Sequence, residues 1–183
     1  LVNYVGSFLK RRLFLVYTCF KETQNAAYYI QLLKLLPHPE GGYYKETFRS
    51  EQQVNRVGEA NVKQACTSIY YLLEDADFSG FHRIASDEIW YFHKGQPLIT
   101  HVIQKDGTLI SHELSDESTG DFSVIVQAGL WFAAELKATE GFALVSCAVA
   151  PGFDFSEFKM AKREELTLQY PQHEALLTRM CRE

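Results

Sequence analysis

From residue 65 onward the chain is a series of short segments rich in β-branched and aromatic residues, separated by turn signals every 8–15 residues. The segments fall at 66–73, 80–84, 88–93, 98–104, 109–114, 122–127, 130–136 and 142–150. Such a series predicts an all-β sandwich or barrel. One connection is marked strongly. Lys105-Asp106-Gly107-Thr108 reads as a hairpin, because Asp-Gly tolerates the positive φ of a type I′ turn.

The flanks read differently. Tyr29, Leu32, Leu33 and Leu36 lie at i, i+3, i+4 and i+7, so residues 25–36 are predicted to form a helix. Asn25 caps it, and Pro37 and Pro39 stop it. Glu40-Gly41-Gly42 makes a turn, residues 43–49 alternate as a strand does, and the polar stretch 51–64 reads as a loop. Near the end, Pro171 suits the first turn of a helix whose apolar stripe is Leu176, Leu177 and Met180. Residues 1–24 are set apart. Lys10, Arg11 and Arg12 precede an apolar run at 13–20, as in a signal peptide, but the run is short and no small-residue cleavage site follows. Residues 1–24 are therefore expected to be a lead or an added strand, and residues 25–183 a single domain.

The 183 residues suffice for one domain with a real core, and 46% hydrophobic against 22% charged residues fits a folded chain. A net charge of −5 excludes a broad basic face for nucleic acid. The run at 13–20 is too short to cross a bilayer, so no membrane partner is expected. Cys19, Cys66, Cys147 and Cys181 form neither a CxxC pair nor a dense disulfide framework, which points to a reducing, cytoplasmic setting.

Chemistry concentrates in residues 79–95. Strand alternation places His82 and Ile84 on one face, and Glu88, Trp90 and Phe92 on one face after a short turn. A hairpin here brings an imidazole and a carboxyl together, the parts of a proton-transfer pair or of a metal site. Two parities of the strand at 43–49 stay open: Tyr44, Glu46 and Phe48 inward, or Tyr43, Lys45 and Thr47. The glycines of Glu40-Gly41-Gly42 offer backbone N–H groups to an anion, though reversing the chain is use enough for them. No dinucleotide fingerprint, P-loop, nucleophile elbow or HExxH is present.

The segment resembles the first signature of the cupin superfamily, with His82 at the first histidine, Glu88 at the glutamate and Gly95 at the glycine. Ile84 stands at the second histidine position. Residues 127–132 are similar to the second signature, with Phe132 at its histidine. Five blocks between residues 25 and 158 resemble the small single-domain cupins of unknown function: His38-Pro39-Glu40-Gly41-Gly42-Tyr43-Tyr44, Phe81-His82-Arg83, Asp87-Glu88-Ile89-Trp90, residues 128–134 and residues 149–153.

The resemblance implies a double-stranded β-helix barrel with flanking helices, a pocket at its mouth, a homodimer, and similarity to dTDP-sugar epimerases and storage proteins. No cofactor is expected, because a divalent metal would find an incomplete ligand set. The expected activity is binding of a small polar ligand, sugar-like or nucleotide-sugar-like, with metal-free epimerase or isomerase chemistry. In that scheme His82 is the base, Glu88 orients it, and Tyr44 is the opposing acid. Glu46, Trp90, Trp131 and Phe132 are expected to contact the ligand. A non-catalytic binding, sensing or storage protein is the alternative, in which His82 and Glu88 are satisfied core groups and the tryptophans simply pack.

Overall fold

The structure, a computed structural model, describes residues 24–182. The expected lead or added strand, with its apolar run, therefore lies outside the described residues apart from Gln24. A helix α1 (Ala26–Leu33) comes first, followed by β1 (Leu36–Pro37), β2 (Tyr43–Arg49), β3 (Gln53–Asn55), β4 (Val62–Gln64), β5 (Thr67–Glu74) and β6 (Phe78–Arg83). The chain continues through β7 (Asp87–Gly95), β8 (Leu98–Ile103), β9 (Leu109–Leu114), β10 (Ser123–Val126), β11 (Trp131–Leu136) and β12 (Phe142–Ala150). A 3₁₀ turn (Phe155–Glu157), β13 (Lys159–Met160), α2 (Arg163–Gln169), a second 3₁₀ turn (Pro171–His173) and α3 (Glu174–Met180) complete it.

The strands form two antiparallel sheets, in the orders β1-β2-β5-β12-β7-β10 and β13-β6-β11-β8-β9. Between them lies the main core, in which Tyr71, Trp90 and Val145 of the first sheet pack with Phe132, Val102 and Leu136 of the second. This is a mostly-β, two-sheet architecture with helices as small flanking elements, as the resemblance implies. Alternation explains the core directly. Every second residue of β7 (Glu88, Trp90, Phe92) is buried. The opposite face of the second sheet is covered by the C-terminal helices, where Leu166, Leu177 and Met180 pack on Phe81, Ile103 and Trp131.

Several local expectations change. The α1 helix starts at Asn25, whose side chain accepts from the Tyr28 N–H, but it ends at Lys34 in a left-handed conformation, before either proline. The 105–108 connection is not type I′. Only Gly107 has positive φ, and bonds from Gly107 N–H to the Gln104 carbonyl and from Gln104 N–H to the Thr108 carbonyl make a type I turn with a glycine bulge. Residues 51–64, read as a loop, contain the β3–β4 hairpin, a ladder joined to neither large sheet. Arg56 of this hairpin makes a two-pronged ion pair with Glu157 and donates to the Ser86 hydroxyl, while Lys63 binds Asp154 and Glu157. The hairpin thereby straps down the segment after β12. The α2 helix has no counterpart in the sequence reading.

Candidate active site

The inward rows of the first sheet change character along their length. On β12 they run Ala143, Val145, Cys147, Val149; on β5, Leu73, Tyr71, Ile69; on β7, Phe92, Trp90, Glu88. One end is filled with hydrocarbon. The other opens into a cavity of about 550 Å³ whose walls include His82, Glu88, Tyr44 and Glu46. That size suits a small-molecule site. The parity of β2 is thus Tyr44 and Glu46 inward. An irregularity in the β2–β5 register after Glu46 leaves Phe48 exposed.

At the centre stands a pair that the sequence reading did not form. The Nε2 of His82 lies 3.2 Å from Oε2 of Glu40, and both side chains are almost fully buried. The His82 Nδ1 is 2.8 Å from the Gly80 carbonyl oxygen. A carbonyl only accepts, so Nδ1 carries a proton and Nε2 is the nitrogen that faces the carboxyl. Glu40 also accepts from the Ser79 hydroxyl at 3.0 Å, and its backbone N–H donates to His38 Nδ1. His38 is a second imidazole 3.6 Å from the same carboxyl. Burial and the neighbouring His82 hold its pKa below the usual value, against the opposing pull of Glu40.

Glu88 occupies the same cavity from the opposite sheet. Burial, reinforced by the charge of Glu40, raises its pKa to about 8, so it carries a proton at neutral pH. The thiol of Cys147 and the indole of Trp90 offset part of that rise, yet the indole N–H makes no full hydrogen bond among the described residues. The partner that orients His82 is therefore Glu40, not the Glu88 expected from sequence.

The structure separates the remaining candidates. Tyr44 and Glu46 line the cavity, with Tyr44 edge-on to the His38 ring at 4.5 Å. Trp90, Trp131 and Phe132 do not line it. Trp90 is buried in the hydrocarbon core. Trp131 points to the outer face of its sheet, beneath the Arg83 guanidinium at 4.6 Å. Phe132, opposite His82 in the β6–β11 ladder, supports the imidazole from behind with ring centroids 4.0 Å apart. Strand parity sends Trp131 and Phe132 to opposite faces, so they cannot share a wall. Nor is the diglycine turn an anion cradle, since Gly41 N–H binds the His38 carbonyl and Gly42 N–H binds Asp77.

The donor set does not fit a resident metal. Ile84 and Phe132 supply no ligand, both nitrogens of His82 are engaged, and among the described residues no three His, Cys, Asp or Glu side chains are grouped to hold an ion.

The barrel agrees with comparison to known families. The profile described as "Cupin superfamily (DUF985)" matches residues 27–161. The chain belongs to that family. It is 33% identical over 148 residues to the uncharacterized protein YML079W of Saccharomyces cerevisiae, covering 72% of this chain and 73% of that protein. It is also similar to the solved structure of a hypothetical protein from Leishmania major, with a TM-score of 0.81, 35% identity and coverage of 87% of this chain and 99% of the other. Protein SO0799 from Shewanella oneidensis gives a TM-score of 0.79 at 36% identity, with the same coverage. None of these relatives carries an activity in its name.

Within this cupin, His38 and Glu40 are the site residues that sequence reasoning missed. They lie in the first of the five family blocks, beside the Gly41-Gly42 turn. Their signal was the polar His-x-Glu spacing immediately before an inward-facing strand.

Proposed function

We propose that this cupin binds a small polar molecule in the open end of its barrel and moves a proton on it, as a metal-free epimerase or isomerase does. One observation carries this reading: the buried His82 imidazole stands 3.2 Å from the buried Glu40 carboxyl at the wall of a ligand-sized cavity. The pair acts as the base that takes a proton from carbon beside a carbonyl. Glu88, protonated near neutrality, acts as the donor from the other sheet, and Tyr44 is a second hydroxyl on the wall. Splitting the two carboxyls between acceptor and donor follows from their surroundings, since Glu40 has imidazole and hydroxyl partners and Glu88 is chiefly desolvated.

The test is exchange of solvent deuterium into a panel of keto-sugars and other small carbonyl compounds. The wild type should exchange at least one of them, and His82→Gln and Glu40→Gln should each slow exchange by ~10²-fold or more. Binding without any exchange in the wild type would leave a non-catalytic binding or sensing protein.

A cytoplasmic, reducing location is proposed on the same footing. It is supported by free thiols at Cys66, Cys147 and Cys181 and by the absence, among the described residues, of a helix long and apolar enough to cross a membrane. A homodimer is proposed as well, supported by the exposed Phe122 and Ile125 at the β10 edge of the larger sheet. A monomer by light scattering would remove it.

A further inference from the structure

The charges and rings around the cavity do not suit a phosphorylated ligand. Among the described residues the walls carry four carboxyl groups, on Glu40, Glu46, Glu88 and Asp154, but only one Lys or Arg side chain, Arg49. That guanidinium is already held by both oxygens of Glu46, at 3.0 and 2.6 Å, and reaches the Phe153 carbonyl at 3.5 Å. Arg56 and Lys63 of the β3–β4 hairpin, which hold the segment between the rim phenylalanines, are occupied by Glu157 and Asp154. A phosphate or diphosphate would meet the buried Glu40 and Glu88 carboxyls and, among the described lining residues, no guanidinium or ammonium free of a carboxylate partner.

The apolar part of the wall points the same way. Phe153, Phe155 and Phe158 stand mutually tilted, with centroids 5.0–6.1 Å apart and interplanar angles of 66–82°. The His38 ring lies nearly parallel to Phe155 at 6.3 Å and perpendicular to Phe158 at 6.3 Å. Rings meeting at such angles around buried carboxyls make a surface that attracts a positive charge through their π faces. The chain's net charge of −5 favours the approach of a cation to the mouth.

We infer that the ligand of this cavity is a small organic cation, an ammonium or amidinium compound, held between the aromatic rim and the inner carboxyls. The inference rests on the cavity being a ligand site, as proposed above, but not on any proton transfer there. It makes Glu88 the counter-ion, so for a cationic ligand the proton-donor role falls to Tyr44 on the same wall instead. In the ligand-free protein the Glu88 proton neutralises that carboxyl, and an arriving cation takes that proton's place. The groups around Glu88 are Cys147 on β12, Trp90 on its own strand and Glu40 from the turn before β2, with His38, His82, Tyr44, Glu46, Arg49 and Asp154 on the other walls. Arg49, the permanent cation among them, is bound by Glu46. Binding at pH 7 should therefore expel about one proton, because the Glu88 carboxyl titrates at about 8.

Calorimetric titration of the full chain with choline, agmatine, glucose and inorganic phosphate, in two buffers of different ionisation enthalpy, tests this. At least one of the two cations should bind, releasing about one proton at pH 7. Its affinity should rise up to ~10-fold per pH unit below pH 8 and level off above it. Glu88→Gln, which removes a buried ionisable group and so should fold, should weaken cation binding ~10-fold or more and abolish its pH dependence. Glucose or phosphate binding while both cations stay silent would overturn the charge class but leave the cavity reading intact. Silence from all four probes at millimolar concentration would overturn the inference. Cation binding without isotope exchange would sustain it while removing the proposed catalysis.

Discussion

The two ends of the barrel interior are built by the same strands and behave oppositely. At the closed end Leu73, Phe92, Leu98, Leu136 and Ala143 bury hydrocarbon against hydrocarbon. At the open end the next inward positions carry Glu88, His82 and Glu46, with Glu40 brought in from a turn. The first end supplies the free energy that keeps the second in place. A buried carboxyl costs stability unless it is paired or protonated. Glu40 solves this by pairing, Glu88 by holding its proton. The comparison teaches that a site of this kind depends on rigidity elsewhere, and the contrast can be attacked at several points.

The largest effect should come from pH. Glu88 titrates at about 8 in the folded protein against 4.5 ordinarily, so the folded state holds a proton that the unfolded state has lost between those values. Its contribution is fully present below pH 4.5 and fades as pH rises to 8, by up to about 5 kcal/mol in all. Denaturant unfolding across this range should show stability falling in the wild type, and a markedly flatter profile in Glu88→Gln. Equal slopes would mean that the open end carries no such strain.

A smaller effect should separate core from rim. Phe132→Ala removes a fully buried ring that backs His82 and should cost ~3–5 kcal/mol. Phe155→Ala, at the half-exposed mouth, should stay within about 1 kcal/mol while weakening ligand binding. Thermal unfolding of the pair checks the difference. The smallest effect belongs outside the barrel, where Asn25→Ala deletes the α1 cap and should cost ~1 kcal/mol, with the cavity's ligand affinity unchanged.

What the sequence revealed follows the range of the forces involved. Strands β5 to β12 were legible because alternation and turn residues are local signals. The cap at Asn25 was legible for the same reason. The β3–β4 hairpin was not, since Val54, Val57 and Val62 are exposed and no buried face writes a period into residues 53–64. His82 and Glu88 were found because each alternates onto the inward face of its own strand, although β6 and β7 belong to different sheets and do not form the expected hairpin. Glu40 lies 42 positions before His82 and reaches it only through the tertiary fold, so nothing near it in the chain announces the pairing. Trp131 illustrates the reverse error: an aromatic in the right block, turned outward by one residue of parity.

The strap formed by the β3–β4 hairpin has a consequence for how such proteins diverge. It shares no ladder with either main sheet and holds the Phe153–Phe155–Phe158 rim through Arg56 and Lys63 alone among its charged side chains. The hairpin thus steadies the rim of the proposed ligand site from outside both sheets, as a fitting is bolted to a chassis. Exchanges in residues 53–64 are expected to disturb that rim before they reach the His82–Glu40 contact.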